Sequence, residues 1–338
     1  INIASNEIVH FIGIGGIGMS GLAQIMRNMK FKIQGSDLNQ NKNTDRLIKL
    51  GIKLHLGHNQ KNLKQATMVV MSSAIKNNNK ELILARRKNL PIFSRGEMLA
   101  NVVALKKNII VTGSHGKTTT TSLVANILVE AGLDPTVING GVINSLKNNA
   151  QLGKGEWAVI ESDESDGSFL KLPITYSIVT NVDKEHLNFY GSFKKLKKSF
   201  NLFIEKTPSI GKSIVCIDDK NLRSILKKCK NKNLQTYGFN NKSNYQITNI
   251  KRKKFYSIFD LKIKKKKQKI KNIKVNVIGD HNITNTAASI VVALNLGIHV
   301  IKIKKALKKF MGIQRRFTKI FSIGKRDFYD DYAHHPTE

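Results

Sequence analysis

The chain has 338 residues, a hydrophobic content of 41% and a formal net charge of +34. Its length allows two or three domains of roughly 100–200 residues each. It contains neither a signal-peptide pattern nor an apolar run near the roughly 18 residues of a membrane span. Two cysteines, Cys216 and Cys229, lack metal or redox spacing and fit a reducing compartment.

The strong positive charge, taken alone, favours a nucleic-acid or other polyanion partner. Only 10 of the 57 basic residues are Arg, however, and the abundant Lys, Asn and Ile share A/T-rich codons. We therefore attribute the charge to a biased genome and predict no nucleic-acid partner and no membrane partner. A polyanion-binding surface stays open as the alternative.

The chain begins with a strand, a glycine-rich turn and a helix. An apolar strand at residues 8–11 leads into residues 13–18, whose glycines have the G-x-G-x-x-G spacing. Such a turn lets the backbone approach a diphosphate at the helix N-terminus. A second strand at residues 31–35 is followed by Asp37, about 20 residues past the glycines, where a ribose-binding carboxylate is expected. The motif does not separate NAD from FAD or another nucleotide diphosphate, a tight turn without a ligand stays open, and Asp37 also suits a helix cap.

Two later strands complete the first unit. A strand at residues 68–71 ends at Ser72 and Ser73, and another ends close to Arg95. Ligands of parallel sheets bind at the carboxyl ends of the strands. Residues 1–105 are therefore predicted to form one α/β nucleotide-binding domain.

A phosphate-binding loop is predicted next. An apolar strand at residues 108–111 leads to Gly113 and Gly116, and Lys117 and Thr118 open a segment with helical spacing of apolar residues. Triphosphate binding needs this order, because loop and helix N–H groups face the phosphates, the lysine reaches the outer phosphates and the hydroxyl holds magnesium. The two glycines are closer by two residues than in the usual pattern, so the loop is a variant. A glycine turn with a surface lysine is the alternative.

Acidic residues follow the next buried strand. Residues 139–141 are predicted to form a turn, and the strand at residues 157–160 that follows leads into four carboxylates within residues 161–166. Oxygen ligands of this kind suit magnesium. A further strand at residues 177–180 places His186 at a strand end beside the same site. A solvated acidic loop and a structural histidine are the alternatives that these residues leave open.

The last third of the sequence changes character. Residues 240–278 alternate as antiparallel hairpins do, and residues 279–285 are predicted to cap a helix. Residues 312–317 form a basic turn that suits a phosphate or carboxylate as well as a plain interdomain turn. Pro336 is typical of the first residue of a helix, so we expect the sequence to end within a third domain.

Taken in order, these motifs resemble those of the Mur ligases. The resemblance covers the whole chain and is carried by residues 13–21, 35–37, 72–75, 113–120, 161–169, 281–282, 315–317 and 330–338. It implies an α/β protein in three parts. These are a Rossmann-like UDP-sugar-binding domain at residues 1–105, a central P-loop ATPase-like mixed-sheet domain at 106–312, and the start of a Rossmann-like C-terminal domain at 313–338.

The resemblance also implies a reaction. It is the ATP-dependent addition of L-alanine to UDP-N-acetylmuramate through an acyl phosphate, in peptidoglycan precursor synthesis. ATP is then a co-substrate, two Mg²⁺ ions assist, and the protein is expected in the cytoplasm as a monomer or weak homodimer. Because most of the family's C-terminal domain lies beyond this sequence, we expect the 338 residues alone to be inactive or very weak.

Site residues follow from the matched motifs. The resemblance gives catalytic roles to Lys117, Glu161 and His186, and magnesium ligation to Thr118, Glu161 and His186. The implied ATP-binding residues are Gly113, Ser114, His115, Gly116, Lys117, Thr118, Thr119, Asn282, Asn285, Arg315, Asp330 and His334. The implied UDP-sugar-binding residues are Gly13, Gly15, Gly16, Gly18, Met19, Ser20, Asp37, Ser72, Ser73 and Arg95.

Two other enzymatic functions stay open at this point. One is a recycling ligase of the same family that adds a whole tripeptide to the same sugar nucleotide. The other is an NAD-dependent oxidoreductase built on the first glycine turn, which would leave the phosphate loop and the acidic residues unexplained.

Overall fold

A computed structural model describes residues 6–144, 148–314, 318–324 and 326–331, with only the backbone described at residues 318 and 319. These residues form two large sheets and one separate hairpin. Within these ranges no helix combines the length and the apolar character that a membrane crossing requires.

The first sheet is entirely parallel. It contains five strands: β1 (Ile8–Ile12), β2 (Lys32–Asp37), β3 (Lys53–Leu56), β4 (Met68–Met71) and β5 (Ile92–Ser94). Their order is β3-β2-β1-β4-β5. The order reverses beside β1, and ligands of open parallel sheets bind at such a switch point.

Four helices accompany this sheet: α1 (Ile17–Asn28), α2 (Lys42–Lys49), α3 (Lys80–Arg87) and α4 (Arg95–Val103). Helix α1 buries Leu22, Ile25 and Met26. Asn41 caps α2, because its side chain accepts the N–H groups of residues 43 and 44, and Ser94 caps α4 in a reciprocal box with Glu97. These caps explain why polar segments begin helices at the strand ends.

The second sheet is mixed and has ten strands. They are β6 (Lys107–Thr112), β7 (Thr136–Ile143), β8 (Asn148–Gln151), β9 (Trp157–Glu161), β10 (Tyr176–Val179), β11 (Ser213–Cys216), β12 (Leu234–Gly238), β13 (Tyr245–Arg252), β14 (Ser257–Ile263) and β15 (Gln268–Val275). Their order is β15-β14-β13-β12-β11-β10-β6-β9-β7-β8. The β13–β14, β14–β15 and β7–β8 pairs are antiparallel, and the central pairs are parallel.

Six helices follow in the chain: α5 (Lys117–Glu130), α6 (Leu187–Tyr190), α7 (Phe193–Glu205), α8 (Lys220–Leu226), α9 (Asp280–Asn295) and α10 (Val300–Lys309). Helices α5 and α9 pack against each other and are buried around most of their circumference. The apolar run at residues 109–111 of β6 is fully buried beneath them. The core therefore fixes β6 and α5, the two elements that flank the phosphate loop. The last described element is a hairpin of β16 (Thr318–Ile323) and β17 (Arg326–Asp330).

The structure confirms the predicted α/β class, with a Rossmann-like parallel sheet followed by a mixed sheet, and the predicted antiparallel hairpins. Two local predictions were wrong. Residues 139–141 lie inside β7 rather than in a turn, because their glycines allow close approach to a neighbouring side chain. Residues 280–285 form the first turns of α9 rather than a separate cap, and the N-cap is Gly279.

Candidate functional site

A cleft of about 1250 Å³ lies between the two sheets. One wall comes from helices α1 and α2 beside the first sheet and includes Ile17 and Arg46. The opposite wall comes from the phosphate loop at residues 114–118 and from acidic side chains that include Glu161, and Asp330 of β17 also lines the cleft. The phosphate loop thus lines the cleft. Of the first glycine turn only Ile17 is among the described residues that line it, and the predicted UDP-sugar-binding residues are not among them.

The phosphate loop needs glycine at two positions. Gly113 has φ +134°, and a Cβ atom there would lie 2.1 Å from Thr180 Oγ1. Gly116 has φ +81°, and its Cβ would lie 2.6 Å from Asn285 Oδ1. Side chains at these positions would combine backbone strain with a clash. The tight turn predicted from the two glycines is what brings Lys117 and Thr118 to the start of α5.

The phosphate loop is held by hydrogen bonds to the segment that follows β10. Asn181 accepts the N–H of Ser114 through its carbonyl oxygen at 3.1 Å and the N–H of His115 through Oδ1 at 2.8 Å. Thr180 Oγ1 donates to the His115 carbonyl at 2.6 Å. Sequence reasoning did not assign a role to Thr180 or Asn181, although one ends the predicted strand at residues 177–180 and the other follows it directly, which was a usable signal.

Lys117 is buried against acidic side chains. Its Nζ donates to Glu164 Oε2 at 2.9 Å and to the carbonyl oxygens of Gly113 at 2.7 Å and Ser114 at 3.2 Å. Burial lowers the pKa of Lys117, but the Glu164 and Asp163 carboxylates outweigh it and the net shift is upward. Lys117 is therefore a fixed positive charge at the mouth of the loop.

Thr118 and Glu161 lie side by side. Thr118 Oγ1 donates to Glu161 Oε1 at 3.0 Å, and the N–H of Gly140 donates to Glu161 Oε2 at 2.5 Å. Burial raises the pKa of Glu161, and the Gly140 N–H and the charge of Lys117 oppose that shift. The predicted hydroxyl and carboxylate ligands are thus brought together, with Gly140 as a partner that sequence reasoning had placed in a turn.

His186 lies next to a second group of carboxylates. It is the N-cap of α6 with φ +55°, and its Nε2 lies 3.8 Å from Glu164 Oε1. Asp163, Glu164 and His186 each offer one ligand atom, and these atoms lie within 4.8 Å of one another. Glu164 Oε1 is buried without a hydrogen-bond partner among the described residues.

The donor set of this region fits a divalent cation. Carboxylate and hydroxyl oxygens dominate it, as magnesium prefers, and the buried Glu164 oxygen without a partner is an atom that a cation would satisfy. Burial raises the pKa of Glu164. Burial also raises that of Asp163, but the Lys117 charge and the Ser165 N–H outweigh it and lower the pKa overall. Glu164 was within the acidic cluster recognised in the sequence but was not among the predicted site residues.

The first glycine turn is closed by polar side chains. The N–H of Gly15 donates to Asp37 Oδ2 at 2.7 Å, and Asn43 Nδ2 donates to the Gly15 carbonyl at 2.9 Å. Asp37 therefore fixes the turn itself, whereas α2 has Asn41 as its cap. Arg95 lies over the start of α1, with Nη1 at 3.3 Å from the Cβ position of Gly18.

Other predicted residues of this turn are placed differently. Met19 and Ser20 are buried in α1, and Ser20 uses its N–H for the Gly16 carbonyl and its hydroxyl for the Ile17 carbonyl. Ser72 packs on Gly13, with its Cβ 3.1 Å from that glycine's Cβ position, and Ser73 is exposed.

The predicted adenine side is partly described. Asn285 is buried against Gly116 of the phosphate loop, and its Nδ2 donates to Asn282 Oδ1 at 3.3 Å. Asn282 in turn donates to the Ile278 carbonyl at 2.8 Å. Arg315 and His334, two further predicted ATP-binding residues, lie outside the described residues.

The arrangement as a whole suits phosphoryl transfer, which depends on positioning and charge neutralisation more than on covalent participation of the protein. The cleft offers a loop at a helix N-terminus, a buried ammonium group and oxygen donors for a cation. Ile17 of the other glycine turn lines the same cleft, so an acceptor bound at that turn would lie beside it.

Comparisons with known proteins agree with these motifs. Residues 8–107 match the family model described as "Mur ligase family, catalytic domain", and residues 111–293 match "Mur ligase middle domain". The chain is 60% identical to the UDP-N-acetylmuramate–L-alanine ligase of Pelagibacter ubique over 341 residues, which span 100% of the chain and 74% of that relative.

Solved structures give the same result. The crystal structure of UDP-N-acetylmuramate–alanine ligase from Thermotoga maritima superposes with a TM-score of 0.86 at 30% identity, covering 97% of the chain and 75% of that protein. The UDP-N-acetylmuramate:L-alanyl-γ-D-glutamyl-meso-diaminopimelate ligase from Neisseria meningitidis superposes with a TM-score of 0.82 at 25% identity. This superposition covers 91% of the chain and 99% of the Neisseria protein.

Proposed function

The chain belongs to the Mur ligase family, and from this premise we propose that it catalyses the ATP-dependent joining of L-alanine to UDP-N-acetylmuramate, a step in peptidoglycan synthesis. The observation that carries this function is the cleft that the phosphate loop and the acidic residues share with Ile17, which belongs to the first glycine turn, and with Arg46 of α2. The 60% identity with a UDP-N-acetylmuramate–L-alanine ligase over the whole chain selects the reaction within the family.

The chemistry follows from the poor reactivity of a carboxylate toward an amine. Transfer of the γ-phosphoryl group of ATP to the sugar's carboxylate releases ADP and forms an acyl phosphate. The amine of L-alanine then attacks the acyl carbon, phosphate leaves, and the amine proton is lost to solvent or a nearby base. Both steps need the reacting groups held in line and their charges neutralised.

Within this reaction Lys117 binds the outer phosphates, and the loop at residues 113–119 cradles them. Thr118, Glu161 and His186 hold magnesium, for which two sites are proposed, and Asp163 and Glu164 add ligand atoms beside His186. The cation supplies charge neutralisation on the γ-phosphate and the acceptor carboxylate. Its proposed position is supported by the 3.0 Å contact between Thr118 and Glu161.

The sugar nucleotide is proposed to occupy the first glycine turn, with its diphosphate at the N-terminus of α1. Asp37 supports this assignment by fixing Gly15, and Arg95 by placing a guanidinium beside the turn. Gly13, Gly16, Gly18, Met19, Ser20, Ser72 and Ser73 complete the proposed subsite. Ser20 has both of its polar groups engaged within α1, so its proposed role is to shape the turn.

ATP is the co-substrate, and its adenine is proposed to lie on the side of Asn282 and Asn285, with Asp330 at the far edge of the cleft. Contact of Asn285 with Gly116 supports this direction. The division into domains at residues 1–105, 106–312 and 313–338 is likewise proposed. The first boundary is supported by the change of sheet after residue 105 and by the bounds of the two family matches, and the second by the separate sheet of β16 and β17. A cytoplasmic monomer or weak homodimer stays a prediction.

A second candidate reaction differs only in the amine. The ligase from Neisseria meningitidis, whose name specifies a tripeptide, shares the fold at a TM-score of 0.82. Its identity to the chain, 25%, is well below the 60% of the alanine ligase from Pelagibacter ubique. L-Alanine is therefore the preferred acceptor of the acyl group.

The decisive experiment uses a protein extended to the length of its relatives, because the match covers 74% of the alanine ligase from Pelagibacter ubique. It measures phosphate release from Mg-ATP in the presence of UDP-N-acetylmuramate and different amines. L-Alanine is expected to stimulate release more than glycine, L-serine or the tripeptide. Lys117→Met is expected to abolish it, and the exposed Lys49→Met serves as the matched control. Equal stimulation by the tripeptide would favour the second candidate, and no amine-dependent release with any acceptor would contradict the proposal.

A further inference from the structure

The antiparallel pair β7–β8, here called the bridging hairpin, contacts helix α1, which accompanies the first sheet. Asn149 Nδ2 donates to the Ile17 carbonyl at the start of α1 at 3.0 Å, and Gln24 Nε2 donates to the Ala150 carbonyl at 3.0 Å. A Cβ atom at Gly21 would lie 3.0 Å from Asn149 Nδ2. Strand β8 is therefore packed on α1 as closely as a glycine allows.

Arg46 of α2 reinforces this contact from the cleft. Its Nη1 donates to Asn149 Oδ1 at 2.8 Å and to Asn148 Oδ1 at 3.3 Å. Asn149 is 1% exposed, whereas Arg46 is half-buried and lines the cleft. One buried asparagine thus ties the bridging hairpin to both α1 and α2.

The other strand of the hairpin contacts the proposed phosphoryl-transfer site. The Gly140 N–H donates to Glu161 Oε2, and the Cβ position of Gly141 lies 3.0 Å from Thr118 Cγ2. Asn139 Nδ2 donates to Ser122 Oγ of α5 at 3.0 Å. A shift of β7 along or across the sheet would therefore move a donor of Glu161.

We propose that Arg46 and Asn149 are positioning residues that couple the two substrate sites through the bridging hairpin. The inference rests on the proposed function. Occupation of the glycine turn fixes the first turn of α1, whose Ile17 carbonyl holds Asn149. Strand β8 then holds β7 in register, and Gly140 orients the Glu161 carboxylate beside Thr118. By thermodynamic reciprocity, nucleotide bound at the phosphate loop tightens the sugar-nucleotide site by the same factor.

The test measures a coupling factor. Calorimetric dissociation constants for the Mg²⁺ complex of a non-hydrolysable ATP analogue are determined with and without saturating UDP-N-acetylmuramate, and their ratio is the factor. We expect a factor of about 5 or more in the unaltered chain, at the low end of typical allosteric couplings. In Arg46→Met we expect about 2 or less, with analogue affinity in the absence of the sugar changed less than about twofold.

Two controls separate coupling from charge and from folding. Lys42→Met removes a neighbouring cation that lines the same cleft on the same helix, and it is expected to keep the coupling factor. Asn148→Ala removes the longer Arg46 contact together with the acceptor of the Asn149 N–H, but it keeps the 2.8 Å contact between Arg46 and Asn149, and it is expected to give an intermediate factor. Thermal unfolding of each variant verifies that it is folded before binding is compared.

Each outcome has a defined meaning. A coupling factor that is unchanged in Arg46→Met, or that falls equally in Lys42→Met, would overturn the inference, as would independent binding of the two ligands to the unaltered chain. Failure of the unaltered chain to bind either ligand would instead contradict the proposed function, on which the inference rests.

Discussion

The buried pair of Lys117 and Glu164 allows a quantitative test of how the site is held together. Lys117 Nζ lies 2.9 Å from Glu164 Oε2, and the side chains are 14% and 0% exposed. Removing one partner of a buried ion pair typically costs about 3–5 kcal/mol, because the other charge is left uncompensated. Asp163 Oδ1 remains 4.0 Å from Nζ, so we expect Glu164→Gln to cost about 3 kcal/mol of unfolding free energy.

Lys117→Met and the double variant complete a thermodynamic cycle. The single variant leaves the Glu164 carboxylate buried, whereas the double variant leaves no charge of the pair behind. We therefore expect the double variant to lose less unfolding free energy than the two single variants lose in sum, with a coupling energy of about 2 kcal/mol. Urea unfolding at pH 7.5 measures all four proteins.

The pH dependence of the stability of Lys117→Met provides a second test of the same pair. Burial raises the pKa of Glu164 above its ordinary value, and loss of the nearby ammonium raises it further. The folded variant then binds a proton more tightly than the unfolded chain does, so its stability rises as pH falls from 7.5 towards 5. The difference in free energy of unfolding between Lys117→Met and the unaltered chain should therefore become smaller over this pH range. The reasoning would be refuted if the losses of unfolding free energy in the two single variants were additive and the difference between Lys117→Met and the unaltered chain did not change with pH.

Three further predictions test other parts of the structure. Gly113→Ala should weaken ATP binding by tenfold or more. Gly132 is the control, because its φ is also positive but its Cβ position meets no atom within 4 Å; Gly132→Ala should cost about 1 kcal/mol of stability and leave ATP binding unchanged. Equal ATP affinities of the two variants in calorimetry would contradict this prediction. Hydrogen bonds from neighbouring side chains overcome the effect of burial and lower the pKa of Glu81 to about 2, so Glu81→Gln should lose up to about 3 kcal/mol at pH 7. The unaltered chain should lose this contribution as pH falls from about 4.5 to 2, and a urea-unfolding difference that stays constant over that range would count against it. Asp37→Ala should weaken UDP-N-acetylmuramate binding about tenfold through the lost contact with the Gly15 N–H, and a matching loss of ATP affinity would show that its effect is not local.

The parts of the site that could be predicted from the sequence are those whose geometry is local. In the phosphate loop, the glycines, Lys117 and Thr118 are consecutive or nearly so, and their order dictates a turn into a helix. The same holds for the first glycine turn. In both cases a strand precedes the turn and a helix follows it, so the neighbours along the chain are also the neighbours in space.

The parts that could not be predicted depend on residues far apart in the chain. Glu161 is oriented by Gly140, and the loop carbonyl of His115 by Thr180, 65 positions away. Gly140 was misplaced because paired glycines favour turns locally, whereas here a glycine in a strand lets Glu161 approach. Helix α2 was missed because its polar segment buries only Thr44 and Leu47, so it has no apolar stripe for a periodicity argument to find.

The contacts of Lys117 finally indicate what nucleotide binding must change. An ammonium group has three N–H donors, and here they face Glu164 and two loop carbonyl oxygens. To reach a phosphate, Lys117 must give up at least one of these partners, and Glu164 is the one that a cation beside Asp163 and His186 can satisfy instead. We therefore expect Glu164→Gln to bind ATP more tightly than the unaltered chain when EDTA has removed divalent cations, because the neutral amide holds the ammonium less strongly. With magnesium present the order should reverse, since a cation ligand has been lost. Titration of both proteins under the two conditions measures this, and the same order of affinities in both would contradict the linkage of lysine release to cation binding.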